Sequence, residues 1–348
     1  MAWKGIPNNP HWQYDDAPAD PGANSPYRPL WLKQTEGIRT NSGGNEVYTK
    51  VRKVGITVDT MGELSKTFWD AQGDEVLGTD AFELLIETNA GNKSMVLGGR
   101  SGYTYNAVVD WGDGTSTTSV THHADAVHTY VTAGEYTISV TGTFPAIKMY
   151  NEPSAAYIRK VSNLGKVGWK SFRNGFYACT GMTEFTMGNT DTSGVTETQN
   201  MFRGCSGLVG TLDLTSMIGS NCVNTTAMIR ECSSVTSVVF TGWDTSSLPR
   251  FKDMMHNCTA LVNVTGIEDW NITGVNVADA FSQILTNGRM TTAQYDALLV
   301  NWDAQSPLPQ TGGTSRFGNS TYTSGSAAET SRTNLINEGW TISDGGSV

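Results

Sequence analysis

The sequence predicts a mainly β chain with short helices, in which a β-domain is followed by a short repeat solenoid. Three observations carry that expectation. Residues 175–284 repeat at a period close to 26, residues 107–140 hold two strand-and-turn segments that answer each other, and turn formers replace charge in the composition. Hydrophobic residues make up 38% and charged residues 16% of 348, a balance that suits a turn-rich β protein better than an α/β enzyme.

The first segment is residues 1–55. Six of the eleven prolines fall within its first 29 residues, interleaved with Trp3, Trp12, Tyr14, Tyr27 and Trp31. That much proline argues against regular helix or central strand, while the aromatics exceed what a solvated linker carries. The expectation is an extended attachment arm with no independent fold, whose Trp and Tyr side chains dock on a partner protein. The alternative is an arm folded back on its own chain.

Residues 56–145 read as a β-domain. Phe82-Glu83-Leu84-Leu85-Ile86-Glu87 is its first clear strand. Ala107-Val108-Val109-Asp110 runs into the turn Trp111-Gly112-Asp113-Gly114 and is answered by His128-Thr129-Tyr130 and Gly134-Glu135-Tyr136-Thr137-Ile138-Ser139-Val140. This arrangement resembles the PKD domain, and the resemblance implies an immunoglobulin-like β-sandwich. Asp110 and Asp113 are hard oxygen donors of the kind calcium takes, yet a site needs six or more oxygens. A turn in which both carboxylates bond backbone amides is the favoured reading, and no cofactor is expected. His122, His123 and His128 alternate faces and do not converge on a metal.

Residues 146–289 hold the repeat. Its units are Phe176-x-x-Cys179-x-x-Met182, Met201-Phe202-x-x-Cys205-x-x-Leu208, Met228-Ile229-x-x-Cys232-x-x-Val235, Met254-Met255-x-x-Cys258-x-x-Leu261 and Ala280-Phe281-x-x-Ile284. The apolar pair before each cysteine has a helix-like habit. The β-branched segments after it, such as 235–240 and 261–264, read as short strands, so each rung is expected to hold one short helix, one short strand and two turns. Four of the five cysteines are equivalent and Cys222 stands apart, which predicts a ladder of buried reduced thiols rather than disulfides. These units, followed by Asp-Thr-Ser turns at 191–193 and 244–246, resemble the BspA-like subclass of leucine-rich repeats. The resemblance implies a leucine-rich-repeat solenoid, with residues 158–164 as the strand of an earlier, degenerate rung. Two departures stand out: the unit at 212–217 follows a one-residue insertion, and the last turn reads Asn271-Ile272-Thr273.

Residues 290–348 are the expected end cap. Residues 291–302 read as a capped amphipathic helix with Tyr295, Leu298, Leu299 and Trp302 inward. A loop to Gly325, a helix over 327–337 and a strand over 340–343 follow.

The formal charge is −10 and no run of Lys or Arg occurs, which disfavours nucleic acid and anionic membranes as partners. The N-terminal residues lack the apolar stretch of an export signal, and no segment is apolar enough to span a bilayer, so folding in a cytoplasm is expected. No Gly-x-Ser-x-Gly, His-Glu-x-x-His or phosphate loop is present. His256 lies two residues from Cys258 without an orienting third group, and the chain is expected not to be an enzyme.

A PKD-like domain joined to such repeats resembles phage-encoded repeat proteins. That resemblance implies a structural protein of a phage particle, a tail fibre or capsid decoration, assembled in the host cytoplasm. Its arm would hold other virion proteins, its repeats would meet a host cell-surface glycan or protein, and homo-oligomers would form in the virion. A bacterial surface adhesin and a glycan depolymerase are the alternatives. Asp191, Trp243, Asp244, Asp269 and Trp270 are the candidates for surface recognition, because exposed indoles beside hydrogen-bonding groups suit sugar rings. The competing reading stacks Trp243 on Trp270 as core.

Overall fold

The computed structural model describes backbone at residues 4–6, 9–15, 31–34 and 49–50, and residues 80–91, 93–309 and 313–348 in full. The chain divides into two units, Met1–Thr79 and Asp80–Val348.

In the first unit, β1 (Lys4–Ile6), β2 (Asn9–Asp15), β3 (Trp31–Gln34) and β4 (Thr49–Lys50) form a sheet in that order, antiparallel throughout. The expectation that proline excludes central strands from this segment is therefore corrected. Pro10, the one early proline among the described residues, falls inside β2. The β1–β2 register steps between Gly5↔Gln13 and Ile6↔Asn9, and β3 pairs with β2 only from Trp12 onward. Pro10 thus sits where neither ladder needs an N–H.

The second unit opens with β5 (Phe82–Glu87), β6 (Ser94–Val96), β7 (Asn106–Asp110), β8 (Thr118–Val120), β9 (Val127–Thr129) and β10 (Glu135–Thr143). Period-two alternation places them: Phe82, Leu84 and Ile86 of β5 and Ala107 and Val109 of β7 are buried, while Asn106 and Asp110 are exposed. The β7–β8 hairpin turns through Gly112 at φ +77°, where a Cβ would stand 2.3 Å from the Thr137 carbonyl oxygen of β10. Only glycine fits that approach. β6 and β9 form a separate antiparallel pair, tied back by the Tyr130 hydroxyl, which donates to the Trp111 carbonyl at 2.9 Å.

β11 (Ile158–Asn163) joins this region to the repeats. It pairs antiparallel with β5 and parallel with β12 (Glu184–Phe185), so one six-stranded sheet runs β12-β11-β5-β10-β7-β8. Of the divisions drawn from sequence at 55, 145 and 289, the first lies outside the described residues. The unit boundary lies at 79/80, and one buried cluster extends from Phe82 to Trp340 without a break at 145 or 289.

The apolar segments before the cysteines are stacked turns rather than helices. Asn174 and Ala178, Asn200 and Gly204, Ala227 and Glu231, and Asp253 and Asn257 all have φ between 55° and 77°. They stand five and one residues before Cys179, Cys205, Cys232 and Cys258. Left-handed residues at that spacing cannot continue an α-helix. Every second N–H instead crosses to the following rung: Phe172, Asn174, Phe176 and Ala178 donate to Glu197, Gln199, Met201 and Arg203. The intervening N–H groups close i to i+3 turns, as Cys179 does onto Phe176 and Met182 onto Cys179. The backbone is satisfied without helix, and Phe176, Cys179, Met182 and their equivalents point inward with 0% to 3% exposure.

On the other side of the rungs, β13 (Gly210–Asp213), β14 (Val235–Val239) and β15 (Asn263–Thr265) form a parallel sheet with Leu212, Val238 and Val264 in register. Among the described residues no ladder joins β12 to β13. A crevice lined by Phe185, Leu208, Leu212 and Val235 opens there.

The chain closes with α1 (Thr292–Asp303), β16 (Thr314–Arg316), α2 (Ala327–Asn337) and β17 (Thr341–Ser343), β16 and β17 being parallel. Thr291 and Gln294 form a reciprocal capping box, and Tyr295, Leu298, Leu299 and Trp302 are buried as their spacing predicts. The segment expected as loop before Gly325 contains β16, too short a strand for its hydropathy to announce.

Candidate functional site

The turns that follow the strands are the surface on which the sequence places recognition. Trp243 and Trp270 are not part of it. Their rings stack 5.8 Å apart at 9°, with 8% and 1% exposure, and Phe251 stacks on the other side of Trp270 at 4.6 Å. The Trp243 Nε1 donates to the Leu214 carbonyl at 2.6 Å. Equivalent positions in stacked rungs share burial, so both indoles are core.

Asp191 and Asp244 are exposed, but each spends Oδ1 on its own turn. Asp191 accepts from the Ser193 N–H, and Asp244 accepts from the N–H and hydroxyl of Ser246 at 3.1 and 2.6 Å. Hydrogen bonds from those serines hold both carboxyls below their usual range. Asp213 with Thr215 and Asn271 with Thr273 build the same turn, so the Asp-Thr-Ser pattern is turn chemistry first. Of the five residues in the expected surface, Asp191, Asp244 and Asp269 remain exposed.

In the first unit, Trp12 and Tyr14 lie on β2 and Trp31 on β3, whereas Trp3 and Tyr27 lie outside the described residues.

Asp110 Oδ1 accepts from the Gly112 N–H, and Asp113 Oδ1 from the N–H and hydroxyl of Thr115. Asp113 Oδ2 pairs with His128 Nε2 at 2.8 Å. The Thr115 hydrogen bond, aided by His128, brings the Asp113 carboxyl down to about 2. His128 also stacks on Trp111 at 5.1 Å, while His122 and His123 lie against each other at 3.9 Å. The Trp-Gly-Asp-Gly and His-Thr-Tyr motifs, 15 residues apart, therefore meet through side chains. Among the described residues no group of three or more His, Cys, Asp and Glu is placed to share a metal.

The thiols form a column of donors. Cys205, Cys232 and Cys258 donate through Sγ to the carbonyls of Phe176, Phe202 and Ile229, each in the preceding rung, at 2.9 to 3.0 Å. All five cysteines are free and buried. Burial pushes Cys222 up to about 11 and Cys258 to about 12, and raises Cys205 and Cys232 well above their usual value. These are not the lowered thiols of activated nucleophiles. His256 is pushed down, by burial first and then by Arg230, and its Nδ1 is buried with no hydrogen bond.

A second surface is one that the sequence reading does not single out. The residues six and two before each cysteine are partly exposed, and charge collects around them. Arg203 Nε and Arg230 Nε both meet Glu231, at 3.3 and 2.9 Å, and Arg230 Nη1 meets Asp253 at 3.1 Å. Glu197 receives Arg100 at 3.0 Å and the Ser171 hydroxyl at 3.0 Å, with Arg173 at 3.7 Å. Asp279 meets Lys252 and, at 3.9 Å, Arg250. Tyr150 and Tyr177 lie edge to face at 4.9 Å, and the Arg203 guanidinium lies 5.7 Å above the Tyr177 ring. A signal for it does exist in the sequence: writing the repeat by offset puts Tyr177, Arg203, Arg230 and His256 in one column.

A family model described as a Mycoplasma protein of unknown function, DUF285, matches residues 170–297. The match covers the stacked rungs and runs into α1. No curated protein and no solved structure matches the chain.

Proposed function

We propose that this chain is a non-enzymatic structural protein of a phage particle, a tail fibre or capsid decoration, held through its N-terminal unit and presenting its repeats to a host surface. In this reading residues 80–145 are a PKD-like, immunoglobulin-like sandwich and the rungs are a BspA-like leucine-rich-repeat solenoid. The observation that supports it best is the ladder of rungs itself. Bridges Ala146↔Ser171↔Glu197↔Asn224 and the parallel sheet β13-β14-β15 bury the thiols and aromatics, and leave turns and ion pairs outward in straight columns. Such a body displays side chains along a line rather than closing them into a cleft.

Deletion of residues 1–50 tests the reading. The remaining chain should stay soluble with one cooperative unfolding transition but fail to enter particles, and Trp12→Ala and Trp31→Ala should each cause part of that loss. Truncated protein that still assembles would overturn it.

A further inference from the structure

The outer face of the rung turns has a charge distribution unlike the remainder of the chain. Between residues 170 and 290 there are seven Lys or Arg and ten Asp or Glu. Five of those seven cations (Arg173, Arg203, Arg230, Arg250 and Lys252) fall in the eight-residue segments before the cysteine positions, against four of the ten acids. Arg100 joins the same face through Glu197. A chain with a net charge of −10 thus gathers a small cationic excess on one side of its repeats.

Several of these guanidinium groups retain unused donors. Arg173 and Arg250 approach carboxylates only at 3.7 and 3.9 Å, beyond hydrogen-bond range, and are 41% and 43% exposed. Arg203 makes a single hydrogen bond, through Nε to Glu231, and no acceptor among the described residues meets its Nη groups. Beside it stand Tyr177 and the 39% exposed Tyr150.

From this we infer that the turn face around Tyr150, Arg173, Tyr177 and Arg203 binds the carboxylated sugars of an acidic polysaccharide. The inference rests on the reading of the repeats as a display surface and names what they engage. Guanidinium forks pair with carboxylates, and tyrosine rings offer apolar area to the flat face of a pyranose. Rungs rise by about 4.8 Å, so equivalent side chains form a straight row suited to a linear polymer. A phosphate polymer offers no apolar ring face to Tyr150 and Tyr177, so only a sugar acid uses both the tyrosines and the guanidinium groups.

The test is affinity electrophoresis of the full chain through gels containing polygalacturonate, neutral dextran or inorganic polyphosphate. Polygalacturonate alone should retard the protein, and added salt should weaken the effect. Arg203→Ala and Tyr177→Ala should each reduce the apparent affinity about tenfold. Arg173→Ala, outside the Arg203–Glu231 pair, should also weaken binding and provides a readout if either of the others misfolds. No retardation by polygalacturonate, equal retardation by dextran or polyphosphate, or folded variants that bind unchanged would each overturn the inference. Wild-type protein that ignores polygalacturonate yet still adsorbs to host cells would remove this ligand class and leave the display reading standing. Protein that binds polygalacturonate but is absent from particles would do the reverse.

Discussion

The side-chain amide of Gln305 grips the backbone on either side of Trp270's neighbour: its Nε2 donates to the Trp270 carbonyl and its Oε1 accepts from the Ile272 N–H, both at 2.8 Å. Those are the two bonds that one residue of a parallel strand would make. Gln294 does part of the same at Val264, whose N–H reaches its Oε1 at 3.3 Å. Gln294 in α1 and Gln305 just beyond it thus stand in for a further rung. Gln305→Leu leaves two backbone groups without partners and should cost about 2–4 kcal/mol. Amide exchange at Ile272 should accelerate while Val264 keeps its protection, and unchanged exchange at Ile272 would contradict the assignment.

Trp243 and Trp270 belong to one stack, so truncating them is a packing experiment. Each change to alanine should cost about 3–5 kcal/mol in denaturant melts. The double variant should lose less than the two losses added together, by about 1 kcal/mol, because each ring has then already lost its partner.

The left-handed turn positions make a paired prediction. A Cβ added to Gly204, at φ +77°, would meet nothing closer than 3.7 Å, so Gly204→Ala tests backbone strain alone and should cost about 1 kcal/mol. Ala178, at φ 55° one rung earlier, should gain about 0.5–1 kcal/mol on change to glycine. Thermal melts of both variants, moving in opposite directions, check the geometry.

His256 gives a pH signature of known sign. Burial, with Arg230 beside it, depresses its folded pKa below 6.5, while Asp253 and Glu231 pull the other way and Arg203 adds to the depression. Between the folded and unfolded values the unfolded chain binds more protons, so this contribution to stability is full above pH 6.5 and falls as the solution is acidified below it. His256→Gln should flatten the stability profile in that interval. A variant with the same slope as the parent would show that His256 does not titrate as described.

Much of the fold is legible where hydropathy and turn chemistry agree. β5, β7 with its glycine turn, the four inward cysteines, the capped α1 and α2 all lie where their spacing places them. The rung turns read as helices in the sequence because an apolar pair followed by an apolar residue three positions on fits either structure. What separates them is the backbone angle at residues such as Ala178 and Glu231, which carry no strong left-handed preference. The first sheet escapes the sequence because proline count says nothing of where the prolines fall. Trp243 and Trp270 leave the expected surface because equivalent rung positions share burial, while the charged column stands out only once the rungs are aligned.

β5 is the first described strand of its unit, yet it lies in the interior of the six-stranded sheet, between β10 and β11. During synthesis it emerges well before either neighbour. A nascent chain that has exposed residues 80–145 can seat β10 against β5, but the opposite edge of β5 stays open until Ile158–Asn163 leaves the ribosome. An open apolar edge recruits whatever strand arrives first. The interval between residues 145 and 163 is accordingly the span of translation in which this chain most needs to be kept apart from its siblings, and a fragment ended at 145 keeps that vulnerability permanently.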